Sequence, residues 1–529
     1  MTPLRAPTRH CRPWIGLVVV GLMTIQGGAL SVEVLQWSTV ELVSNTSHWY
    51  INCCEIGMDN HGRGFITWVD PGRSQAMVAR GFAGRAWEIH QLNSNPPRIP
   101  AMAVNGHGNA IVSWMEAGVD GYAYATYDPG SGWSTAGAID IPTAAHHYGP
   151  WVAIAEDGRG AVVWSQNTTA NTDQPWVDHP DAISAALYDP RSGFAPGEMI
   201  SGGSAERVRS LLFTYTKGGD LIVVWTSEGG SVPSGVRSMF HVPATGWVDG
   251  GEIQESGPLG RLPRALAARG TDGAQLLLYQ DRENVTDLPV SDYQPGEGWL
   301  EPARVASGNR SSFREYGPLV HSTSGDRAMI VWRDVAGNSS ESTLWYAVYE
   351  PVSGWRTPAM VAQSSQLYPL ALASDGSDGF FLLTDNRYDG DATSYGTHGS
   401  YFTLEGGWSA LATLASSPNL RNYALIHDSA IVSDSRGNML GVTGPGYDYG
   451  PNRGIRASWL IVDSSEFVDD TPVAAWPDPL LAVVGLGVAA TAAPLVVRRF
   501  RRRRQFELWR RGEPREADSE GRQPPMRRT

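Results

Sequence analysis

The chain has 529 residues, a formal net charge of −13 at pH 7 and 20 Trp, and 10% of its residues are aromatic. This acidic balance argues against a nucleic-acid partner, because phosphate backbones are bound by basic surfaces. The 3 Cys are too few for a disulfide framework, so stability must come from a hydrophobic core.

The first 29 residues are typical of a secretory signal. Three arginines precede an apolar run over residues 15–25, and small residues at 27–29 provide a cleavage site. An uncleaved N-terminal anchor is the alternative, although the apolar run is short for a membrane span. We therefore expect residues 1–29 to be a signal peptide and the mature chain to lie outside the cell.

One sequence phrase occurs eight times between Met58 and Val442. Each copy has a short apolar strand A, a polar Gly turn, an apolar strand B that usually ends in Trp, an alternating strand C, and a Gly-Trp turn into strand D. Residues 107–114 read HGNAIVSW and residues 127–133 read YDPGSGW. A repeat of about 50 residues with four short strands is typical of β-propeller blades. The aromatic residue that ends strand B recurs at Trp68, Trp114, Trp164, Trp225, Tyr279 and Trp332.

The eighth unit ends after its strand C at residues 458–462, and the missing strand D matches residues 36–43 near the N-terminus. Pairing of these two segments would close the ring and remove both exposed sheet edges. The sequence therefore predicts an all-β fold, an eight-bladed β-propeller of four-stranded blades closed by the N-terminal strand. Seven blades with one divergent unit is the alternative.

The C-terminal region predicts a membrane anchor. Residues 479–497 contain no charged side chain, and six arginines follow within residues 498–504. About 20 apolar residues span a bilayer, and an arginine cluster marks the cytoplasmic side. The predicted organisation is an ectodomain at 30–472, a transmembrane helix at 473–497 and a basic, disordered cytoplasmic tail at 498–529, in a single-pass protein of the cell membrane.

Charge separates along this organisation. The tail holds 12 Arg against 5 acidic residues and the signal holds 3 Arg, which leaves residues 30–497 with a net charge of about −23. Five Asn-x-Ser/Thr sequons predict a glycoprotein with a secreted surface. They begin at Asn45, Asn167, Asn284, Asn309 and Asn338.

Candidate ligand-binding residues occur in the three longest loops between strands B and C. Their mixture of aromatic rings and carboxylates suits a carbohydrate or a bound Ca²⁺, and no other cofactor is expected. A purely solvated loop is the alternative for each. The residues are Trp176 and Asp178 in the first loop, Tyr388, Asp389 and Asp391 in the second, and Tyr447 and Tyr449 in the third.

A second candidate group lies where strand A begins, around the predicted channel mouth. It contains Arg98, Tyr148 and Tyr368, together with the adjacent pair Cys53 and Cys54. The cysteines form either a strained vicinal disulfide or two buried thiols.

A third regularity is an acid or amide two residues beyond the aromatic residue of strand B. A ring of such groups suggests a metal site, but recurrence in each unit favours a role in capping backbone N–H groups. The positions are Asp70, Glu116, Gln166, Asp281 and Asp334.

The Asp-x-Gly turn with its apolar, Trp-ending strand resembles the BNR (Asp-box) repeats of sialidase-like β-propeller surface proteins of bacteria and archaea. Residues 98–104, RIPAMAV, are similar to the Phe/Tyr-Arg-Ile-Pro motif of sialidases, and the resemblance implies that Arg98 binds a substrate carboxylate. A sialidase-type mechanism also nominates, as weaker catalytic candidates, Arg261, Glu315, Tyr316 and Asp70.

Pro97 stands where sialidases have the aromatic residue of that motif, and sialidases use six blades. The main interpretation is therefore a non-enzymatic, membrane-anchored propeller that binds an extracellular glycan or protein. A sialidase-like glycoside hydrolase and a self-assembling structural component of the cell envelope are the alternatives.

Overall fold

The computed structural model divides the chain into two compact units, Met1–Phe467 and Val468–Thr529. All of the residues that it describes lie in the first unit. These are residues 41–44, 53–70, 75–92, 100–115, 121–141, 146–168, 180–202, 207–228, 235–255, 261–268, 273–280, 287–307, 319–323, 325–335, 341–365, 367–375, 379–386, 396–409, 411–416, 430–443 and 455–460. The predicted signal peptide, transmembrane helix and tail lie outside these ranges.

The described residues form 37 strands in eight antiparallel sheets and contain no helix. We number the sheets 1 to 8 in chain order. Sheet 1 contains β2 (Cys53–Met58), β3 (Gly64–Asp70), β4 (Gln75–Gly81) and β5 (Glu88–Gln91). Sheet 2 contains β6 (Ala101–Val104), β7 (Ala110–Met115), β8 (Tyr122–Asp128), β9 (Gly132–Trp133) and β10 (Gly137–Ile139).

The next three sheets repeat this order of strands. Sheet 3 contains β11 (His146–Ile154), β12 (Gly160–Asn167), β13 (Ala182–Asp189), β14 (Gly193–Phe194) and β15 (Glu198–Gly202). Sheet 4 contains β16 (Arg207–Tyr215), β17 (Leu221–Glu228), β18 (Gly235–Val242) and β19 (Gly246–Glu255). Sheet 5 contains β20 (Arg261–Ala268), β21 (Ala274–Gln280), β22 (Asp287–Gln294), β23 (Gly298–Trp299) and β24 (Ala303–Ser307).

The last three sheets follow the same pattern, except that sheet 8 includes β1, the first strand among the described residues. Sheet 6 contains β25 (Leu319–Ser322), β26 (Ala328–Val335), β27 (Glu341–Glu350), β28 (Gly354–Trp355) and β29 (Ala359–Ser365). Sheet 7 contains β30 (Leu367–Ser374), β31 (Phe380–Asn386), β32 (Gly396–Thr403), β33 (Gly407–Trp408) and β34 (Ala412–Ser416). Sheet 8 contains β35 (Ala430–Ser433), β36 (Met439–Thr443), β37 (Ile455–Leu460) and β1 (Glu41–Ser44).

Where its side chains are described, the second strand of a unit is mostly buried on both faces, as its uninterrupted apolar run predicts. Every residue of β12 is buried, and the indoles of Trp114 and Trp164 are 0% exposed. The prediction that these repeated tryptophans pack between sheets is confirmed, and they are not available to a ligand.

The turns between the first and second strands are held by side-chain acceptors. In sheet 1 the buried carboxylate of Asp59 accepts hydrogen bonds from the backbone amides of His61 and Arg63, both at 2.8 Å. Gly62 adopts a φ of 78°, which glycine reaches without strain. Asp434 holds the turn of sheet 8 in the same way, with its carboxylate accepting from the amides of residues 436 and 438.

The outermost strand departs from the prediction of one strand D, because it is divided into two pieces in sheets 2, 3, 5, 6 and 7. In sheet 2 the division follows Trp133, where the Ser134 amide donates to the Thr126 carbonyl at 2.8 Å. The Ser134 hydroxyl accepts from the Thr126 amide at 3.0 Å. The hydroxyl replaces a backbone carbonyl there, so the ladder shifts by one residue before β10 begins.

The core consists of eight hydrophobic clusters, each between two sheets that are consecutive in the chain or between sheets 8 and 1. The clusters between sheets 1 and 2, 2 and 3, and onward to 7 and 8, each take residues from both sheets. The remaining cluster joins Trp68 and Met77 of sheet 1 to Leu440 and Val442 of sheet 8. The first strands of neighbouring sheets are also in contact, including β2 with β35. We call these first strands the inner strands.

Strand β1 is the outermost strand of sheet 8, where it pairs antiparallel with β37. This is the pairing that the missing strand of the eighth unit predicts. Val43 is 4% exposed and packs in the cluster between sheets 8 and 1. In the turn between the first two strands of sheet 8, the Ser435 amide donates to the Asn60 side-chain carbonyl of sheet 1 at 3.1 Å. Sheets 8 and 1 are therefore joined by this hydrogen bond as well as by the packing of Val43.

The two ends of the sheets differ. At one end lie the tight turns described above. At the other end, where the inner strands begin, the register shifts by one residue in five of the described inner strands. The shifts lie between Cys53 and Glu55, Tyr148 and Trp151, Arg209 and Leu212, Pro263 and Ala265, and Pro369 and Ala371. Such bulges bend a strand and redirect its side chains.

Candidate functional site

The residues with the clearest ligand-binding geometry lie at the bulged end of sheets 3 and 4. We call this region the β11–β16 mouth. It is defined by Tyr148 and Trp151 of β11 and by the loop base formed by Thr168 and Asp181, next to the start of β16. Strands β11 and β16 are in contact as neighbouring inner strands.

Trp151 presents an indole ring to solvent from an inner strand. Its side chain is 37% exposed. A Cβ built on Gly149 would lie 3.1 Å from the six-membered ring of the indole, so a larger residue there would push the ring aside by a few tenths of an ångström. Gly149 also has a φ of 121°, which L-residues rarely adopt. The ring is therefore supported by backbone on one side and is open on another.

Tyr148 and Trp151 project from the same side of sheet 3. Trp151 pairs with Val163, which packs in the cluster between sheets 3 and 4. Tyr148 pairs with Ser165, two residues further along the same strand and therefore on the same face. The bulge between the two aromatic residues keeps both on the side of sheet 4.

The longest B–C loop is closed at its base by Asp181. The Asp181 carboxylate accepts from the Thr168 amide at 2.7 Å and from the Thr168 hydroxyl at 2.8 Å. The Val208 amide donates to the Pro180 carbonyl at 2.7 Å. The loop base of sheet 3 is therefore fixed to the inner strand of sheet 4.

Two arginines occupy the beginning of β16. Arg207 and Arg209 are both exposed, whereas Val208 between them is 3% exposed and packs in the cluster between sheets 3 and 4. Alternation along a strand places the two guanidinium groups on the face away from that cluster. Ser210, which follows directly, has a φ of 48°, an uncommon conformation for a residue other than glycine.

Burial shifts the pKa values of Glu55 and His321, which lie on two of the inner strands. The Glu55 side chain on β2 reaches solvent, but many protein atoms lie around its carboxyl group. This partial desolvation raises the pKa of Glu55 to about 7. Desolvation lowers the pKa of His321 on β25 to about 4. At neutral pH the histidine is uncharged and the glutamate is partly protonated.

The sequence-predicted mouth residues differ in what they contribute. Tyr148 lies in the β11–β16 mouth and is half-buried. Tyr368 is 6% exposed, and the Arg333 guanidinium lies 3.8 Å from the centre of its ring. Tyr368 therefore packs between sheets 6 and 7 against the Arg333 guanidinium, and only a small part of its side chain reaches solvent.

The remaining described candidates are dispersed over other sheets. Asp70 ends β3 and is half-buried, and Arg261 begins β20. Cys53 and Cys54 lie at the start of β2, and Cys54 is the extra residue of the bulge there. The candidates outside the described residues are Arg98, Trp176, Asp178, Glu315, Tyr316, Tyr388, Asp389, Asp391, Tyr447 and Tyr449.

Of the five sequon asparagines, Asn167 lies within the described residues, where it is 5% exposed at the end of β12. The other four sequons lie outside the described residues.

The role in backbone capping that the sequence predicts for Gln166 takes a different form. The Gln166 side-chain carbonyl accepts a hydrogen bond from the Trp164 indole N–H at 2.9 Å. It therefore fixes the rotamer of a buried tryptophan rather than a backbone amide.

Within the described ranges no group of three or more His, Cys, Asp or Glu side chains is arranged to hold a metal ion. The same part of the chain contains no helix that is long and apolar enough to cross a membrane. The Ca²⁺ prediction rests on loops outside that part.

Trp151, Arg207 and Arg209 are not among the residues that the sequence predicts for the site. The sequence does contain one indication that Trp151 is not a packing residue. Trp151 lies on an inner strand, outside the two repeated aromatic positions, so the packing role of the other tryptophans does not extend to it. The arginines carry no motif, and their exposure follows from the register of β16.

No protein-family model matches the chain, and no curated protein matches it. Solved structures with partial similarity include carbohydrate-active proteins and a lectin. A polysaccharide lyase, ulvan lyase, bound to a GlcA(1-4)Rha3S unit is 10% identical, with a TM-score of 0.39 over 64% of this chain and 92% of that chain. The Hadza microbial sialidase is 11% identical, with a TM-score of 0.35 over 58% of this chain and 70% of that chain.

A fungal lectin from Aleuria aurantia with a six-bladed β-propeller fold is 12% identical, with a TM-score of 0.32 over 58% of this chain and 93% of that chain. At these values the similarities assign neither a family nor an activity to the chain.

Proposed function

We propose that the eight sheets are the blades of a closed β-propeller, and that the end where its inner strands begin binds an extracellular glycan without cleaving it. The observation that carries the binding proposal is Trp151, an indole backed by glycine and open to solvent on an inner strand.

The packing between sheets supports the closed ring. Hydrophobic clusters occupy all eight interfaces, including the one between sheets 8 and 1. The pairing of β1 with β37 gives sheet 8 its outermost strand. A ring of this kind leaves short sheet edges at the rim and inner strands around an axis.

The difference between the two ends favours one face for binding. The tight turns at one end are saturated by their own side chains, as at Asp59 and Asp434. The opposite end has the bulges and the longer connections. Bulges are frequent next to binding sites, and loops on a rigid scaffold carry function more often than regular strands.

Trp151 is distinct from the other exposed apolar side chains. Among the described residues the others lie on outer strands or in turns, at Ile89, Met199, Val248, Val352, Met360 and Leu411. An exposed indole face beside hydroxyl and carboxylate groups suits the C–H face of a sugar ring, because the aromatic ring supplies apolar area and the polar groups supply hydrogen bonds.

The polar groups of the mouth fit the same ligand. Tyr148 lies on the same side of the sheet, and the loop base of Thr168 and Asp181 is pre-formed by hydrogen bonds. A pre-formed site loses little conformational entropy on binding. The proposal does not assign a catalytic residue, because no described carboxylate pair is placed on either side of Trp151.

A glycan array probed with the purified full-length chain in detergent, with Ca²⁺ and with a chelator, tests the proposal. The array includes spots assayed for released sugar. We expect retention without release. Trp151→Ala lowers the affinity at least tenfold, or about 1.4 kcal/mol, and Trp151→Phe keeps most of it. Met360→Ala, which removes an exposed side chain from an outer strand, is the matched control.

Failure to retain any glycan, with the fold intact, would overturn the proposal, and release of sugar would replace it by the hydrolase alternative. We also propose, from the sequence, that the propeller is displayed on the cell surface by the segment 473–497. Protease shaving of intact cells should then remove the propeller and leave the C-terminal tail.

A further inference from the structure

The hydrophobic cluster between sheets 3 and 4 ends in polar side chains at the bulged end. On sheet 3, Asn167 lies on the face of β12 that carries Val163 into the cluster. On sheet 4, Ser227 pairs with Val208, which belongs to the same cluster, and lies two residues beyond Trp225. The two sheets therefore face each other through polar groups at this end.

Among the described residues, three of these groups are buried without a hydrogen-bond partner. They are the side-chain carbonyl of Asn167, the indole N–H of Trp225 and the hydroxyl of Ser227, in residues that are 5%, 4% and 0% exposed. We call these three groups the polar layer. Most buried polar groups in proteins are paired, and an unpaired one weakens the fold. A ligand that supplied the missing partners would recover this lost stability.

The corresponding position of sheet 3 shows how the chain can satisfy such a tryptophan by itself. There Trp164 donates its indole N–H to the side-chain carbonyl of Gln166 at 2.9 Å. Trp225 and Ser227 occupy the same two positions of the second strand in sheet 4. The serine side chain is shorter, has no carbonyl group and does not bond to the indole. A serine at this position therefore leaves the indole N–H to another partner.

The polar layer lies beside the aromatic residues of the mouth. Trp151 and Tyr148 pair with the two positions of β12 that precede Asn167 on the face toward sheet 4, so Asn167 is the next position, about 7 Å further along. Thr168, which follows Asn167, forms the loop base with Asp181. A sugar ring against Trp151 therefore has the polar layer next to it.

We propose that the glycan stacked on Trp151 places a neutral hydroxyl or acetamido group in the polar layer. This inference rests on the proposed function and adds the substrate class, a neutral glycan. Either group offers an oxygen to the N–H of Trp225 and a hydrogen to the carbonyl of Asn167, and the Ser227 hydroxyl can donate or accept. A carboxylate or sulfate has no hydrogen to donate, and its charge is costly to bury among neutral groups. The net charge of −13 also repels anions.

The polar layer is covered in the free chain, so binding includes a local rearrangement. Its residues are at most 5% exposed, and the ligand group enters as neighbouring side chains change rotamer, a common event on binding. The hydrogen bonds that the three groups gain offset this cost. A site whose buried polar groups need a partner discriminates strongly against a ligand that lacks one.

Glycans that share a backbone and differ in one substituent test the substrate class on the array of the proposed function. One such set consists of cellotriose, chitotriose and the cellouronate trimer, which carry hydroxyl, acetamido and carboxylate groups on the same β-1,4-linked backbone. We expect the neutral members of each retained set to bind at least ten times more tightly than the acidic member. The better of the neutral members identifies hydroxyl or acetamido as the preferred group.

Two variants of Ser227 separate ligand binding from packing. Ser227→Ala should weaken binding of the retained neutral glycan at least fivefold without lowering the melting temperature, because an unpaired buried hydroxyl does not stabilise the fold. Ser184→Ala is the matched control, at an unpaired buried hydroxyl on the face of sheet 3 toward sheet 2, and should leave the affinity unchanged. Ser227→Gln gives the Trp225 N–H the acceptor that Gln166 provides in sheet 3, so it should raise the melting temperature and abolish binding.

Asn167 is tested together with its sequon. Asn167→Ala should weaken binding at least tenfold. Thr169→Ala removes the sequon but keeps the Asn167 side chain, and should leave the affinity unchanged. Equal losses in the two variants would assign the effect to an attached oligosaccharide and overturn the direct contact.

The results distinguish this inference from the proposed function. Preference for acidic glycans, full affinity in Ser227→Ala and Asn167→Ala, or equal losses in Ser227→Ala and Ser184→Ala overturns the role of the polar layer. The glycan proposal still stands in each of these cases if Trp151→Ala loses binding. Absence of retention at every array spot overturns both.

Discussion

Replacing Val43 tests whether the N-terminal strand completes sheet 8. Val43→Ala removes two methyl groups from a side chain that is 4% exposed in the cluster between sheets 8 and 1. Lost burial costs about 0.8 kcal/mol for each group, and the unfilled space adds about 1 kcal/mol. We expect the free energy of unfolding to fall by about 2.5 kcal/mol in total.

Urea unfolding of the full-length chain, followed by tryptophan fluorescence, measures this difference. For a slope of about 3 kcal/mol per M the midpoint falls by roughly 0.8 M. Val352→Ala makes the same chemical change at a side chain that is 100% exposed and should leave the midpoint unchanged. Equal midpoints for the two variants would show that β1 does not pack in sheet 8, and the closed ring would have to be abandoned.

Three further perturbations probe the turns, the inner strands and the mouth. Asp59→Ala leaves two amides and the ion-paired guanidinium of its turn without an acceptor, so unfolding should become easier by about 2–4 kcal/mol. Asp128→Ala, at an exposed turn, should cost much less in the same urea measurement. Glu55 holds its proton more tightly in the fold, with its pKa raised to about 7, so wild-type stability falls as pH rises from about 4.5 through 7. Because the side chain reaches water, we expect Glu55→Gln to be more stable than the wild type by only about 1 kcal/mol at pH 8. At pH 4 the two proteins should be equally stable. A difference in melting temperature that does not change with pH would contradict the raised pKa of Glu55. Gly149→Ala and Gly132→Ala both place a side chain at a positive φ, but only the former pushes on the exposed indole; glycan affinity should fall in Gly149→Ala alone, and equal affinities would mean that the indole does not contact the ligand.

The repeat predicts those parts of the fold that depend on local pattern. Trp114 and Trp164 end apolar runs and are buried, and the Gly-containing turn at Gly62 has the positive φ that its sequence favours. The repeat also predicts the pairing of β1 with β37, because a unit that lacks its fourth strand must obtain that strand from another part of the chain.

The mouth depends on features that the pattern does not contain. A bulge changes the face on which later side chains lie, and one extra residue between Tyr148 and Trp151 has no signature in the alternation of polar and apolar residues. The exposure of Trp151 follows from that bulge, and the burial of Tyr368 follows from Arg333 on the neighbouring sheet. The interruption of strand D is also absent from the pattern, and in sheet 2 a serine hydroxyl accepts the hydrogen bond of a backbone amide at that point.

The position of β1 in sheet 8 has a consequence for the order of folding. Strand β1, the first of the described strands to be synthesised, pairs with Ile455–Leu460, more than 400 residues later in the chain. At roughly 5–20 residues per second it waits for tens of seconds. Sheets 1 to 7 can form as they emerge, because their strands are neighbours in sequence. The last step is a contact of very large sequence separation, which is slow to form. Until then the edge of β37 is uncovered, and a second nascent chain that offers its own β1 would compete for it.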